Sequence, residues 1–299
     1  MPTDRRDPLL PAKMAAHRAL RYARWGWEGR RYARRRRVGE AMPHVLAESR
    51  TPLVRDPSRA RLELADGKIR NLQIAAAALD GVVIGPGEIL SFWYLVGEPN
   101  VGRGFRRGME LRSGCVVPSI GGGLCQLAGA VFELALRAGL TILEHHPHSL
   151  ELAAEHDRVR PFGVAAAVLY PYRDVRIQND LHQSVVLEAR CEAESLVVRA
   201  YAARNPPTVI DLEERAYQVS RVDGRLQRAG QLWQVASDRA TGERRWERLV
   251  LAADLPVMEH LPENHCYTCE RACPNAVAPD DPEARAVRLD LRVQRGLVS

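Results

Sequence analysis

The stretch from Ser119 to Gly139, SIGGGLCQLAGAVFELALRAG, constrains this chain more than any other. Leu127, Ala128, Val131, Leu134, Ala135 and Ala138 recur at intervals of three and four, which predicts a helix with one apolar stripe, closed by Gly139 as its C-cap. Gly121, Gly122 and Gly123 lead into that helix and put Cys125 in its first turn. Unpaired amides and the helix dipole gather partial positive charge there, so thiolate is favoured over thiol. At a helix start a cysteine pKa can fall from about 8.5 toward neutrality. The glycines permit a sharp turn and let a substrate approach backbone N–H groups able to hold an oxyanion. Side chains three and four positions further on lean over the sulfur, and here they are Ala128 and Gly129, small enough to leave it open. The competing reading is a small buried thiol at a tight connection.

A thiol nucleophile needs a base, and LEHHPHSLEL supplies histidines shortly after the helix. Pro147 interrupts the run, and His148 and Ser149 open an alternating segment expected to be a strand. Cysteine at a helix N-terminus followed by histidine at a strand edge is the general layout of papain-like thiol hydrolases and transferases. The competing reading here is a hydrogen-bonded surface cluster.

The formal charge of +6 is concentrated near the N-terminus. Arg18, Arg21, Arg24, Arg30, Arg31, Arg34, Arg35, Arg36 and Arg37 share a short segment with Tyr22, Trp25, Trp27 and Tyr32. Such an arm can meet an anionic membrane surface, or it can be a helix with one aromatic edge packed on the body and its arginines in water. No nucleic-acid module signature accompanies the charge, which argues against nucleic acid as a partner. No run approaches the ~18 apolar residues of a spanning helix, and no secretory signal pattern opens the chain. The sequence therefore predicts a cytoplasmic protein, with membrane-peripheral attachment as the variant.

Elsewhere, KIRNLQIAAAALDG has helical spacing at Leu72, Ala75, Ala76 and Leu79 and stops at Asp80-Gly81. VVIGPGEILSFWYLVG alternates short β-rich runs with a Gly-Pro-Gly turn. LTILEHHPHSLELA, GVAAAVLYPY, DVRIQND and SVVLEARCEAESLVVRAYA read as successive strands. Asp223-Gly224 signals a hairpin, and LWQVASDRATGERRWERLVLAA a further strand pair. The expected class is α+β, with mostly antiparallel strands around one principal helix that carries the Gly-Gly-Gly-x-Cys-Gln motif at its N-terminus, plus a basic N-terminal helix.

PGEILSFWYLVGEP, IGGGLCQL, AGLTILEHHPHS, RPFGVAAAV and YPYRDVRIQND occur in the order and spacing of the VanW family, which is associated with glycopeptide-antibiotic resistance clusters. The similarity runs from about Arg18 to Tyr201. It implies a peptidoglycan-linked role, and some multidomain relatives are understood to cross-link stem peptides as L,D-transpeptidases through the motif cysteine. Carried over, Cys125 is the nucleophile, His148 the base, and Glu144 and Ser149 orient it. Gly121, Gly122, Gly123, Gln126, Trp93 and Tyr94 fall on the substrate-binding side, with a peptidoglycan-type peptide or precursor as partner. Where many relatives carry hydroxyl residues after the cysteine-glutamine pair, this chain has Ala128, Gly129 and Ala130, and Ala165 stands at a position many relatives make acidic. These departures keep open a non-catalytic accessory role. The implied organisation is a basic arm over 1–50, a VanW-like domain over 51–255 with its core ending near 205, and a tail over 256–299.

That tail contains HCYTCERACP, with Cys266, Cys269 and Cys273. The spacing matches the last three cysteines of a bacterial ferredoxin run, with Glu263 at the place of the first, and it equally suits zinc with His265 or a distant cysteine. No cofactor is expected in the core.

Overall fold

The computed structural model describes residues 10–37, 42–54, 62–112, 115–148, 160–222 and 225–256. The architecture is mixed α+β with mostly antiparallel strands. The main sheet has the order β1 (His44–Pro52), β9 (Ser195–Ala202), β8 (Val185–Glu192), β2 (Val83–Ile84). β1 is an edge strand of this sheet, although the sequence division leaves most of it in the arm. Helices α2 (Leu62–Leu79) and α4 (Leu124–Arg137) pack on the sheet and on each other, α2 against β8 and α4 against β1 and β9. The core is therefore shared by two helices rather than organised by one. Leu72, Ala75, Ala76 and Leu79 of α2 and Leu127, Ala128, Val131, Leu134 and Ala135 of α4 are all buried.

A second sheet joins β3 (Ile89–Ser91), β7 (Arg176–Gln178) and β6 (Thr141–Glu144). Its strand β6 follows α4 directly through a left-handed Gly139, φ 74°, with Leu140 N donating to Ala135 O at 2.9 Å in a Schellman arrangement. Between β3 and the hairpin of β4 (Arg107–Arg112) and β5 (Cys115–Ile120) lies the short helix α3 (Phe92–Val96), capped by the Ser91 hydroxyl. Three long strands, β10 (Thr208–Val222), β11 (Arg225–Asp238) and β12 (Arg244–Pro256), form a third sheet. Gln234 fastens it to the end of α4 by donating to Leu136 O at 2.7 Å.

The basic segment forms helix α1 (Leu10–Trp27), and one edge of it docks on the body. Trp25 is buried among Tyr22, Tyr94 and Tyr170, with ring centroids 5.4 to 6.1 Å away. Arg36 completes the end of α2 by donating to the carbonyls of Ala77, Ala78 and Asp80, where the helix dipole favours a cation.

Two segments expected as strands are not strands. His145–His148 extends past β6 without a named strand, and 164–168 runs beside it, joined by Ala167 N donating to His146 O at 2.7 Å. Ser149 and the tail residues His265, Cys266, Cys269 and Cys273 lie outside the described residues.

Candidate functional site

The glycine turn is built by close backbone contact as well as by torsion. Gly121 and Gly123 have φ of 81° and 99°, where glycine is favoured. Gly122 lies so close to Gly108 that a Cβ on either would overlap the other's backbone. Asn71, wholly buried on α2, locks this arrangement: its amide donates to Arg106 O at 2.9 Å and Gly122 O at 3.0 Å, and its oxygen accepts from Arg106 N at 2.8 Å. Most amides of the turn are engaged. Gly121 donates to Arg106 O, Gly122 to Ser119 O, Leu124 to Gly121 O and Gln126 to Gly123 O.

Cys125 follows in the first turn of α4 and is partly exposed. Its sulfur accepts from Val168 N at 3.5 Å and lies 3.8 Å from Val168 O, to which the thiol donates. The helix-start argument predicts a lowered pKa, and the structure gives the opposite. Burial pushes the thiol up, the Val168 bond opposes that, Glu110 adds to the rise, and Arg173 and the cysteine's own amide pull down more weakly. Desolvation outweighs the dipole, so the resting group is a protonated thiol.

What covers the sulfur is the 164–168 segment, and this corrects the reading of Ala128 and Gly129. Ala128 faces the core, and Gly129 lets the chain come close: a Cβ there would sit 3.2 to 3.3 Å from Arg160, Ala166 N and Val164 O. The small residues admit a strand-like segment rather than leaving space. Arg160 pins that segment, donating to Glu133 at 2.7 Å, Gly129 O at 2.6 Å and Val164 O at 3.3 Å. Glu133 also accepts from Ser49 at 2.9 Å and Arg137 at 3.2 Å.

The histidines flank the same segment. His145 Nε2 donates to Ala165 O at 2.9 Å and the ring stacks on Phe132 at 3.7 Å between centroids; burial lowers its pKa, so it is a neutral ring at physiological pH. His146 Nε2 meets Glu144 Oε1 at 3.1 Å. His148 is half-buried at the end of the run and close enough to His145 to act on its charge.

Glu144 is a structural hub. Arg21 of α1 reaches it with two donors at 2.8 and 2.6 Å, Asp174 N donates at 3.1 Å, and Arg24 and Arg176 lie 3.9 Å away. Burial works to raise its pKa, but Arg21 and His146 outweigh burial and hold the carboxyl below its ordinary value. Its contact is thus with His146 rather than His148. Asp174, beside it, is buried and pushed up to about 6 despite bonds from Ser91 at 2.5 Å and Trp93 N at 3.0 Å.

The other predicted residues serve the frame. Gln126 gives both donors to β1, at Thr51 Oγ1 and Pro52 O, each 2.8 Å. Trp93 is buried and donates to Arg173 O at 2.7 Å; Tyr94 stacks on Tyr32 at 4.5 Å with Arg34 over its ring. Val168, Arg173, Glu110, Asp174 and Arg21 were not singled out for the site by sequence reasoning. Val168 acts through its backbone, so its side-chain type carries no signal. Among the described residues no group of histidine, cysteine and carboxylate side chains is arranged to hold a metal, and no helix is long and apolar enough to cross a membrane.

The family model for VanW like protein matches residues 67–201, which span the Asn71 lock, the glycine turn, Cys125 and the histidine run. The chain is 26% identical to the vancomycin B-type resistance protein VanW of Enterococcus faecalis over 242 residues, 81% of this chain and 87% of that one. It is 28% identical to the uncharacterized protein YoaR of Bacillus subtilis over 133 residues, 44% of this chain and 42% of that longer relative. No solved structure matches. The family match thus falls on the region that carries the site, and residues 67–201 form a VanW-like domain.

Proposed function

We propose that this chain works in peptidoglycan metabolism linked to glycopeptide resistance, as a cysteine-dependent acyl transferase or amidase on stem peptides. The observation that supports it is the placement of Cys125: a partly exposed residue at a helix start whose sulfur, covered by 164–168, has the Val168 amide aimed at it and Arg173 nearby. Both features stabilise negative charge on sulfur as it develops. Because the resting thiol is protonated, the reaction needs a base at the moment of attack. His148 takes the thiol proton as sulfur bonds to the peptide carbonyl carbon. The C–N bond then breaks, the proton passes to the leaving amine, and a thioester remains on Cys125. An incoming amine resolves it to a new peptide bond and water resolves it to an acid. Arg21 and Glu144 act at one remove, fixing the histidine run through His146.

Product analysis with purified stem tetrapeptide and pentapeptide tests this. Wild type turns the peptide over and Cys125→Ala does not.

The raised thiol pKa and the commitment of Glu144 to Arg21 favour a second reading, an accessory protein that binds a wall precursor without chemistry. Calorimetric binding that survives Cys125→Ala, with no turnover by wild type, selects it.

A further inference from the structure

Helix α1 has two apolar faces, and only one is covered. The inner face carries Arg21 and Trp25 into the body. On the outer face Ala16, Leu20, Ala23 and Trp27 follow at i, i+4, i+7 and i+11, a single stripe on a 3.6-residue helix. All four are exposed, Leu20 by 68% and Trp27 by 92%. Tryptophans two positions apart thus meet opposite environments. On the helical wheel Lys13 and Arg24 border this stripe, and exposed Arg31, Arg34 and Arg35 continue beyond it. From 10 to 37 the sequence has ten cationic residues and one acid, Glu28, which Tyr32 and Arg176 already engage.

We propose that this outer face of α1 docks in the head-group layer of an anionic lipid membrane. Leucine and tryptophan on a narrow stripe suit the boundary between head groups and acyl chains, and flanking cations suit anionic lipid. The alanines between them offer no polar groups with which to read nucleic-acid bases. Docking leaves the inner face, with Arg21 on Glu144, undisturbed. The inference does not depend on chemistry at Cys125, because its readout is lipid binding.

The test is vesicle flotation of the full chain with phosphatidylglycerol–phosphatidylcholine vesicles and with phosphatidylcholine alone, at low and high salt. Binding to the anionic vesicles is expected, at least about tenfold weaker to the neutral ones and weakened by salt. Leu20→Ala with Trp27→Ala should lower partitioning at least about tenfold while leaving the melting temperature unchanged, since both side chains are in water. The difference in emission between wild type and Trp27→Phe should shift to the blue when anionic vesicles are added. Absence of wild-type binding, or equal binding by the double variant, overturns the proposal. So does a concentration-dependent dimer that the double variant abolishes, which would make a second copy the occupant. Binding that emerges only after residues 257–299 are removed would assign the face to the chain's own tail and overturn it as well.

Discussion

Two glutamates, Glu133 buried and Glu144 partly buried, hold the walls of the Cys125 site, and they do so in different ways. Glu133, on α4, gathers Ser49, Arg137 and Arg160 and fixes the segment that covers the sulfur. Glu144, at the end of β6, gathers Arg21, His146 and the Asp174 amide and fixes the histidine run. The first cluster pairs its carboxylate with arginines and a hydroxyl. The second adds a histidine and a neighbouring carboxyl raised to about 6. Geometry around Glu144 should therefore follow the protonation of Asp174.

The largest effect should come from Glu133→Ala. It leaves Arg160 and Arg137 without their carboxylate, and removing one member of a buried ion pair costs about 3–5 kcal/mol. Urea unfolding would show it, and Cys125 alkylation should speed up as 164–168 loosens. Unchanged stability and unchanged thiol accessibility would break the claim that this cluster seats the covering segment.

Gly108→Ala comes next. Its Cβ would overlap the Gly122 backbone, which has no flexible end to move, so overpacking should cost about 1–3 kcal/mol and shift the turn that positions Cys125. A variant as stable as wild type would show that the turn is softer than its contacts imply.

The pH dependence separates the clusters more finely. The folded-state pKa of Asp174 lies above its ordinary value of 3.8, so the folded state binds more protons than the unfolded chain between about 4 and about 6. Stability from this group is full below about 4 and is lost as pH rises through about 6, no more steeply than about 1.4 kcal/mol per pH unit. Glu144 has the opposite sign. Its folded pKa is depressed, so its contribution is present above the ordinary carboxylate value and lost as pH falls through the folded one. Asp174→Asn should flatten the upper window and leave the lower. A profile unchanged by that substitution would remove Asp174 from the account.

The smallest effect expected is from Tyr22→Phe, which deletes a solvent-exposed hydroxyl pair with Tyr170 at 2.8 Å and should cost about 0.5 kcal/mol. A loss of several kcal/mol would mean that α1 is held chiefly at its rim rather than by Arg21 and Trp25.

Much of the frame is legible in the sequence because it is local. The periodicity of α4, the left-handed Gly139, the α2 stripe and the strand pair on either side of Asp223-Gly224 are each decided within a few residues. The anchors are not local. Arg21 meets Glu144 across 123 positions and Arg160 meets Glu133 across 27, and nothing in residue type marks these two arginines among the 41 in the chain. Asn71 is equally hidden, since its role is to bridge two backbone turns contributed by distant segments. The state of the thiol is hidden in the sequence for a related reason. The dipole is a property of the helix alone, whereas desolvation depends on a segment that returns some 40 residues later to bury the sulfur. Local features thus describe where Cys125 sits, and distant ones decide its protonation.

Intact-protein mass spectrometry after mixing with stem peptide bears most directly on whether that cysteine reacts. Wild type should gain the mass of an acyl group, mapped by proteolysis to Cys125, while Cys125→Ala gains none and His148→Ala gains it far more slowly. An unmodified wild-type chain that still binds the peptide as tightly as Cys125→Ala would contradict covalent catalysis and leave a binding protein.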